Sequence, residues 1–107
     1  MADKIDLKLT PTQRTILSTL RHHERFGLEI LDAIEECGGK RLGFSALYPN
    51  LKKLEEKGFV TSRWEDTSAE DNKARRKFFK ITGLGVQALS QREKFLNAIA
   101  EWQPSFG

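Results

Sequence analysis

A mainly α domain carrying one small β-hairpin is what this 107-residue sequence predicts. Three observations support it. Apolar residues recur at helical spacing in four separate stretches, with start and stop signals between them. One stretch, Phe59-Val-Thr-Ser-Arg-Trp64, is instead rich in β-branched and aromatic residues, and a second, Arg75-Arg-Lys-Phe-Phe-Lys-Ile81, follows after a polar interval. The length allows one small domain with a real but modest core.

Residues 1–9 read as an N-terminal arm in which Ile5, Leu7 and Leu9 are available to pack. Thr10-Pro-Thr-Gln13 is a strong helix start, with Thr10 as N-cap, Pro11 at the first helical position and Gln13 closing a capping box. Ile16, Leu17 and Leu20 form the inner face of this first helix, predicted to run to about His23. After the polar break His22-His-Glu-Arg25, a second helix begins at about Gly27. Ile30, Leu31, Ile34 and Cys37 line one side of it, and Gly38-Gly39 stops it. Lys40-Arg-Leu-Gly43 has room for no more than a bridging strand.

In the third helix Leu47, Leu51 and Leu54 fall at i, i+4 and i+7, a single narrow apolar stripe. Ser45 is its expected N-cap. Pro49 then falls near the first turn, where a missing N–H costs little, and Gly58 ends the helix. Away from the leucines lie Ser45, Tyr48, Asn50, Lys52 and Lys53. Such a face fits a DNA major groove, which admits one helix, and it also fits plain solvation.

Phe59–Trp64 is the outgoing strand, the polar stretch from Glu65 to Ala74 a long hairpin tip, and Arg75–Ile81 the returning strand, with Phe79 and Ile81 on one face. Charge is divided along this hairpin. Glu65 to Asp71 holds four anions and no cation, whereas Lys73 to Lys80 holds five cations and no anion. Thr82 caps a fourth helix predicted to reach about Trp102, its first turn weakened by Gly83 and Gly85. Its apolar residues, including Leu84, Leu89, Phe95, Leu96, Ile99 and Trp102, cover more than one face, more than one small domain can bury. The surplus points to a second subunit. Gln103 to Gly107 reads as a disordered tail.

Composition closes off several classes. No apolar run approaches the roughly 20 residues of a membrane span, and the charged N-terminus lacks a signal peptide's apolar block, so a cytoplasmic protein is expected. The net charge of +3 leans toward anionic partners. Cys37 is the lone cysteine, which excludes an internal disulfide; it reads as a small buried hydrophobe, with an intersubunit redox bridge as the alternative. His22 and His23 are sequence neighbours and would point apart on a helix. No nucleophile-and-base set, phosphate loop or metal cluster is present in the sequence, so no enzyme activity, cofactor or metal is expected.

Three helices, a hairpin with a basic return strand and a final long helix are the order of a winged helix-turn-helix. In that architecture the second and third helices form the DNA-reading pair and the wing reaches the flanking groove. The expected division is an arm at 1–9, the winged domain at 10–82, a C-terminal dimerisation helix at 83–102 and a tail at 103–107. Gly27-Leu-Glu-Ile30, Ala46-Leu-Tyr-Pro-Asn-Leu-Lys-Lys-Leu-Glu-Glu-Lys-Gly58 and Arg75-Arg-Lys-Phe-Phe-Lys-Ile-Thr-Gly-Leu-Gly85 together resemble the PadR family of transcriptional regulators, over about residues 10–102. The Leu-Tyr-Pro block with its Leu-Lys-Lys-Leu-Glu-Glu-Lys-Gly continuation is the most specific part. The length resembles the short members, which have one C-terminal helix.

That resemblance implies a homodimeric regulator, usually a repressor, docking on an inverted repeat in double-stranded DNA. The family's recognition-helix contacts carry over to Ser45, Ala46, Tyr48, Asn50, Lys52 and Lys53, and its wing contacts to Lys73, Arg75, Arg76 and Lys77. The dimer seam falls to the first and fourth helices, with Leu84, Leu89, Phe95, Leu96, Ile99 and Trp102. Some relatives release DNA when flat aromatic or phenolic compounds bind near that seam, so a small aromatic effector or a protein partner is a further expectation. Two positions depart from the family: Leu28 and Phe79 stand where tyrosine is common. The competing reading is a winged-helix module that binds protein and not DNA.

Overall fold

Helix α1 (Pro11–Thr19) starts as its sequence dictates: Thr10 Oγ1 accepts the Gln13 N–H at 3.1 Å and Gln13 Oε1 accepts the Thr10 N–H at 3.1 Å. The computed structural model describes residues 6–66 and 75–105. The expectations for Ile5, for Lys73 and the rest of the hairpin tip at 67–74, and for the last two residues lie outside the described residues. Helix α1 stops at Thr19, short of the expected His23. The reason lies in side chains that take up its last carbonyls. Thr19 Oγ1 donates to the Ile16 carbonyl at 2.7 Å and Arg25 Nε reaches the Thr19 carbonyl at 2.8 Å, while the Leu17 and Ser18 carbonyls turn to the amides three residues on.

Arg25–Phe26 forms a short strand, β1, and α2 (Gly27–Glu36) follows at once, with the Glu29 carboxylate accepting the Phe26 N–H at 3.2 Å. Helix α2 ends through Gly38 at φ +95°, with the Gly39 N–H donating to the Ile34 carbonyl at 2.8 Å. Cys37 is the C-cap and is exposed, not buried as expected. The helix leaves the core one turn earlier, at Ile34, so the periodicity that placed Cys37 inward no longer applies.

Helix α3 (Phe44–Glu56) also begins earlier than expected. Gly43 is its N-cap with no side-chain cap bond, and Ser45 is already the second helical residue. Pro49 therefore sits in the second turn, and the Ser45 carbonyl four residues back has no amide hydrogen to accept from it. Its end is as predicted: Gly58 takes φ +81° and the Phe59 N–H bonds the Leu54 carbonyl at 2.9 Å.

Strands β2 (Val60–Trp64) and β3 (Lys77–Ile81) pair antiparallel with Val60 opposite Ile81 and Trp64 opposite Lys77. The third strand is β1 and not Lys40–Gly43, which is not a strand; the sheet order is β1-β3-β2, with Arg25 opposite Phe79 and Phe26 opposite Phe78. Helix α4 (Gly83–Glu101) begins where Thr82 Oγ1 accepts the Gly85 N–H at 3.0 Å and donates to the Gly58 carbonyl at 2.7 Å, tying the helix to the end of α3.

The core is built from Ile16, Leu17 and Leu20 of α1, Ile30, Leu31 and Ile34 of α2, and Leu47, Leu51 and Leu54 of α3. Phe59, Val60 and Phe79 close it from the hairpin, and Ala88 and Leu89 from α4. Leu7 and Leu9 of the arm pack against it. Only the first half of α4 takes part: every residue from Gln91 to Ser105 is exposed. Among the described residues no helix is long and apolar enough to cross a membrane.

Candidate nucleic-acid interface

Because Leu47, Leu51 and Leu54 fix one side of α3 in the core, the opposite side is presented outward. Ser45, Ala46, Tyr48, Lys52 and Lys53 are all exposed there. Asn50 is half-buried, and its Nδ2 donates to the Ala46 carbonyl at 2.8 Å. That bond occupies one of its two amide hydrogens and leaves the side-chain oxygen and the second hydrogen for other partners.

Phe44, which the sequence reading passed over, lies one turn before Tyr48, and the two rings stack at 5.7 Å with planes 15° apart. The Tyr48 ring reaches back over the start of α2. A Cβ at Gly27 would stand 2.5 Å from the Tyr48 hydroxyl oxygen, so only glycine lets the phenol rest there. An i,i+4 aromatic pair beginning at a helix N-terminus was the signal available for Phe44.

The wing offers two different faces. On one, Lys77 Nζ lies 5.5 Å from the Trp64 ring and 5.7 Å from that of Phe79. Trp64, Arg75, Arg76 and Lys77 border a cleft of about 410 Å³ whose far wall is Phe44, Tyr48 and the segment Phe26–Leu28. The recognition helix and the basic strand thus meet across one opening. On the other face of the sheet, whose Phe26 and Arg76 also reach the edge of this cleft, Arg63, Phe78 and Phe26 form a row across the three strands. Arg63 is held by Glu24 at 2.5 and 3.0 Å and lies over the Phe78 ring at 5.0 Å. Arg76 forks onto Glu65 at 2.7 and 3.0 Å and lies 4.8 Å from the Phe26 ring. Hydrogen bonds from the Arg76 side chain and backbone hold the Glu65 carboxyl down at about 2, and the Arg63 hydrogen bond holds that of Glu24 below its ordinary value.

The expected site residues are therefore not equivalent. Five of the six on α3 are exposed on one side, Arg75 and Lys77 border the cleft beside them, and Arg76 borders it with its guanidinium already bonded to a carboxylate. Of the expected seam on α4, Phe95, Leu96, Ile99 and Trp102 are exposed, the last at 70%. Leu89 is instead buried in the protomer's own core, and Leu84 is half-buried against it, because the first half of α4 packs on the winged domain.

The family model described as "Transcriptional regulator PadR-like family" matches residues 16–91 of the chain. The chain belongs to this family. The PadR-like chain is 36% identical over 76 residues to the negative transcriptional regulator PadR of Bacillus subtilis, a match covering 69% of this chain and 40% of that protein. It thus spans about two-fifths of the length of that curated relative. The crystal structure of Bacillus subtilis PadR in complex with operator DNA matches with a TM-score of 0.67 at 28% identity, over 90% of this chain and 50% of that one. A PadR-like transcription factor from Bacteroides fragilis shares the fold with a TM-score of 0.72 at 21% identity, over 84% of each chain. PadR-like proteins are transcriptional regulators and not enzymes. The winged arrangement of the PadR-like chain also accounts for its two departures. Leu28 is exposed at the edge of the cleft, and Phe79 is buried at 3% exposure, where a tyrosine would need a hydrogen-bond partner for its hydroxyl.

Proposed function

We propose that the chain is a sequence-specific DNA-binding regulator acting as a homodimeric repressor on an inverted-repeat operator. The observation that carries this reading is the outward face of α3, with Ser45, Ala46, Tyr48, Lys52 and Lys53 exposed together beside the basic strand of the wing. The operator-bound relative and the negative regulator among its matches support it. In this reading α3 enters a major groove. Tyr48, Lys52 and Lys53 hold phosphates, while Ser45, Ala46 and Asn50 approach base edges. Asn50 keeps the acceptor and the second amide hydrogen that adenine recognition uses. Arg75 and Lys77 bring cations to the flanking backbone. The exposed second half of α4, with Phe95, Leu96, Ile99 and Trp102, is the seam for a second copy. A small aromatic compound or a partner protein acting at that seam would release the DNA.

The test is selection from a randomised duplex pool by the purified chain, followed by fluorescence anisotropy of the recovered duplex at several salt concentrations. The expected outcome is an inverted repeat bound with a steep negative salt dependence, and about a thousandfold or more over a scrambled duplex. Recovery of no enriched sequence would overturn the reading. Asn50→Ala is expected to relax base preference at one position of each half-site, at a cost of about 1–3 kcal/mol of discrimination.

A further inference from the structure

The wing's cations are not interchangeable, and the difference is built into the sheet. Phe26, Phe78 and Arg63 stand opposite one another across β1, β3 and β2. Arg76 lies two residues before Phe78, beside the same row, and stacks on two of its members, at 4.8 Å from the Phe26 ring and 5.7 Å from that of Phe78. Phe26 and Phe78 meet edge to face at 5.5 Å. Among the described residues two carboxylates act on this arginine, Glu65 first and Glu29 after it. Glu65 accepts from its Nε, from Nη2 and from its own backbone N–H, and the Glu65 N–H donates to the Arg76 carbonyl at 2.7 Å. Glu29, from the first turn of α2, is the next carboxylate in its field. Arg63 has the same construction at the other end of the row, with Glu24 as its acceptor.

From this geometry we infer that Arg76 is a positioning residue of the wing: it clamps the base of the hairpin, through Glu65 and Phe26, to the short strand β1 and does not itself hold a phosphate. The inference rests on the DNA-binding reading above and refines it. The fork leaves a phosphate at Arg76 only the Nη1 hydrogens and one on Nη2, and a phosphate there would stand against the bound Glu65 carboxylate with Glu29 in the same field, or else would have to displace the fork that matches the planar guanidinium. Strand β1 has two residues, too few to hold a sheet edge by ladder bonds alone. The clamp supplies the cross-strand contact that keeps β1, and with it the start of α2 and the seat of Tyr48 over Gly27, in register with the wing. Arg76 therefore acts on DNA through the placement of neighbours.

The experiment compares Arg76→Gln, Arg76→Lys, Glu65→Gln and Lys52→Gln in the full chain. The probe is the duplex recovered by the wild-type chain, titrated at several salt concentrations, with amide hydrogen exchange of β1 and β3 measured without DNA. For a positioning residue, Arg76→Gln and Glu65→Gln both weaken binding by about threefold, and the logarithmic salt slope stays at the wild-type value. Arg76→Lys keeps the charge but loses the fork and the stacking, so it is expected to behave like Arg76→Gln. Lys52→Gln, which removes a phosphate cation, lowers the slope by about one and sets the scale. Exchange at Phe26 and Phe78 accelerates in all three clamp variants and not in Lys52→Gln. The inference is overturned if Arg76→Gln lowers the slope by about one while Arg76→Lys restores it, or if Glu65→Gln tightens binding by releasing a phosphate-binding arginine. Should the wild-type chain recover no duplex, the DNA reading fails. The exchange data then still decide the clamp, and unchanged protection at Phe26 and Phe78 would refute it.

Discussion

Single side chains at the wing and at the turn before it set what the surface can do. Glu65 is the sharpest case. Its carboxyl is held at about 2, against an ordinary value of 4.5, by the Arg76 side chain and backbone N–H. A carboxylate depressed on folding contributes fully above its unfolded value, and that contribution is lost as the pH falls through the folded one. The clamp is therefore intact at neutral pH and releases between about 4.5 and 2. Its release is expected as a loss of β3 amide protection over that window, measured against the exchange rate of unstructured peptide at each pH, and Glu65→Gln should remove that loss. Gly27 makes a second prediction at this scale. A methyl there would stand 2.5 Å from the Tyr48 oxygen, the far end of a side chain that can swing away. Gly27→Ala should thus leave thermal stability within about 0.5 kcal/mol of wild type, since a flexible partner yields cheaply. DNA affinity should fall because Tyr48 is displaced. Wild-type affinity in Gly27→Ala would mean that Tyr48 needs no fixed seat.

Elements were legible in the sequence wherever periodicity and local chemistry agreed. Thr10 with Gln13 fixed the start of α1, Gly38 and Gly58 fixed two helix ends, and Leu47, Leu51 and Leu54 oriented α3 so that its outward face could be read directly. What escaped was set by tertiary partners. Strand β1 exists because Arg25 and Phe26 pair with Phe79 and Phe78, which lie more than fifty residues away, and two residues carry no period to detect. Ser45 looked like an N-cap by type, yet Gly43 is the cap because the helix starts at Phe44, whose ring packs on Tyr48. That Arg76 and Arg63 each stack on the Phe26–Phe78 pair while bonded to a carboxylate depended on which carboxylate each would meet, information that strand alternation alone does not hold. The junction between wing and α4 gives a prediction at this scale. A Cβ at Gly85 would lie 2.3 Å from the Phe59 carbonyl oxygen and 2.7 Å from Ile81 Cγ1. Unlike the Tyr48 hydroxyl, a backbone carbonyl cannot move aside. Gly85→Ala should cost about 1–3 kcal/mol in urea unfolding by shifting α4 off the hairpin; an unchanged midpoint would show that the junction can slide.

For the molecule as a whole, shape and surface point the same way. A compact chain of this length has a radius of gyration of about 13 Å, whereas this one measures 17.3 Å. Helix α4 contributes to the excess: it packs on the domain through Ala88 and Leu89 and then continues from Gln91 with all described residues exposed. A nineteen-residue helix with an apolar side in water is poorly stabilised along its free half. Phe95, Leu96, Ile99 and Trp102 would leave a contiguous apolar surface of the kind that marks an interface. A second copy burying the same surface two-fold would account for both facts, and would set two α3 helices about one turn, roughly 34 Å, apart for an inverted repeat. The decisive variant is Ile99→Asp, which places a charge in the middle of that seam while touching none of the protomer's buried residues. Wild type is expected to sediment as a dimer at micromolar concentration, with a thermal midpoint that rises with concentration. Ile99→Asp should sediment as a monomer, lose the concentration dependence, and bind an isolated half-site and the full repeat with similar affinity. A wild-type chain that stays monomeric at tens of micromolar, yet still prefers the full repeat, would mean that DNA and not α4 brings the two copies together.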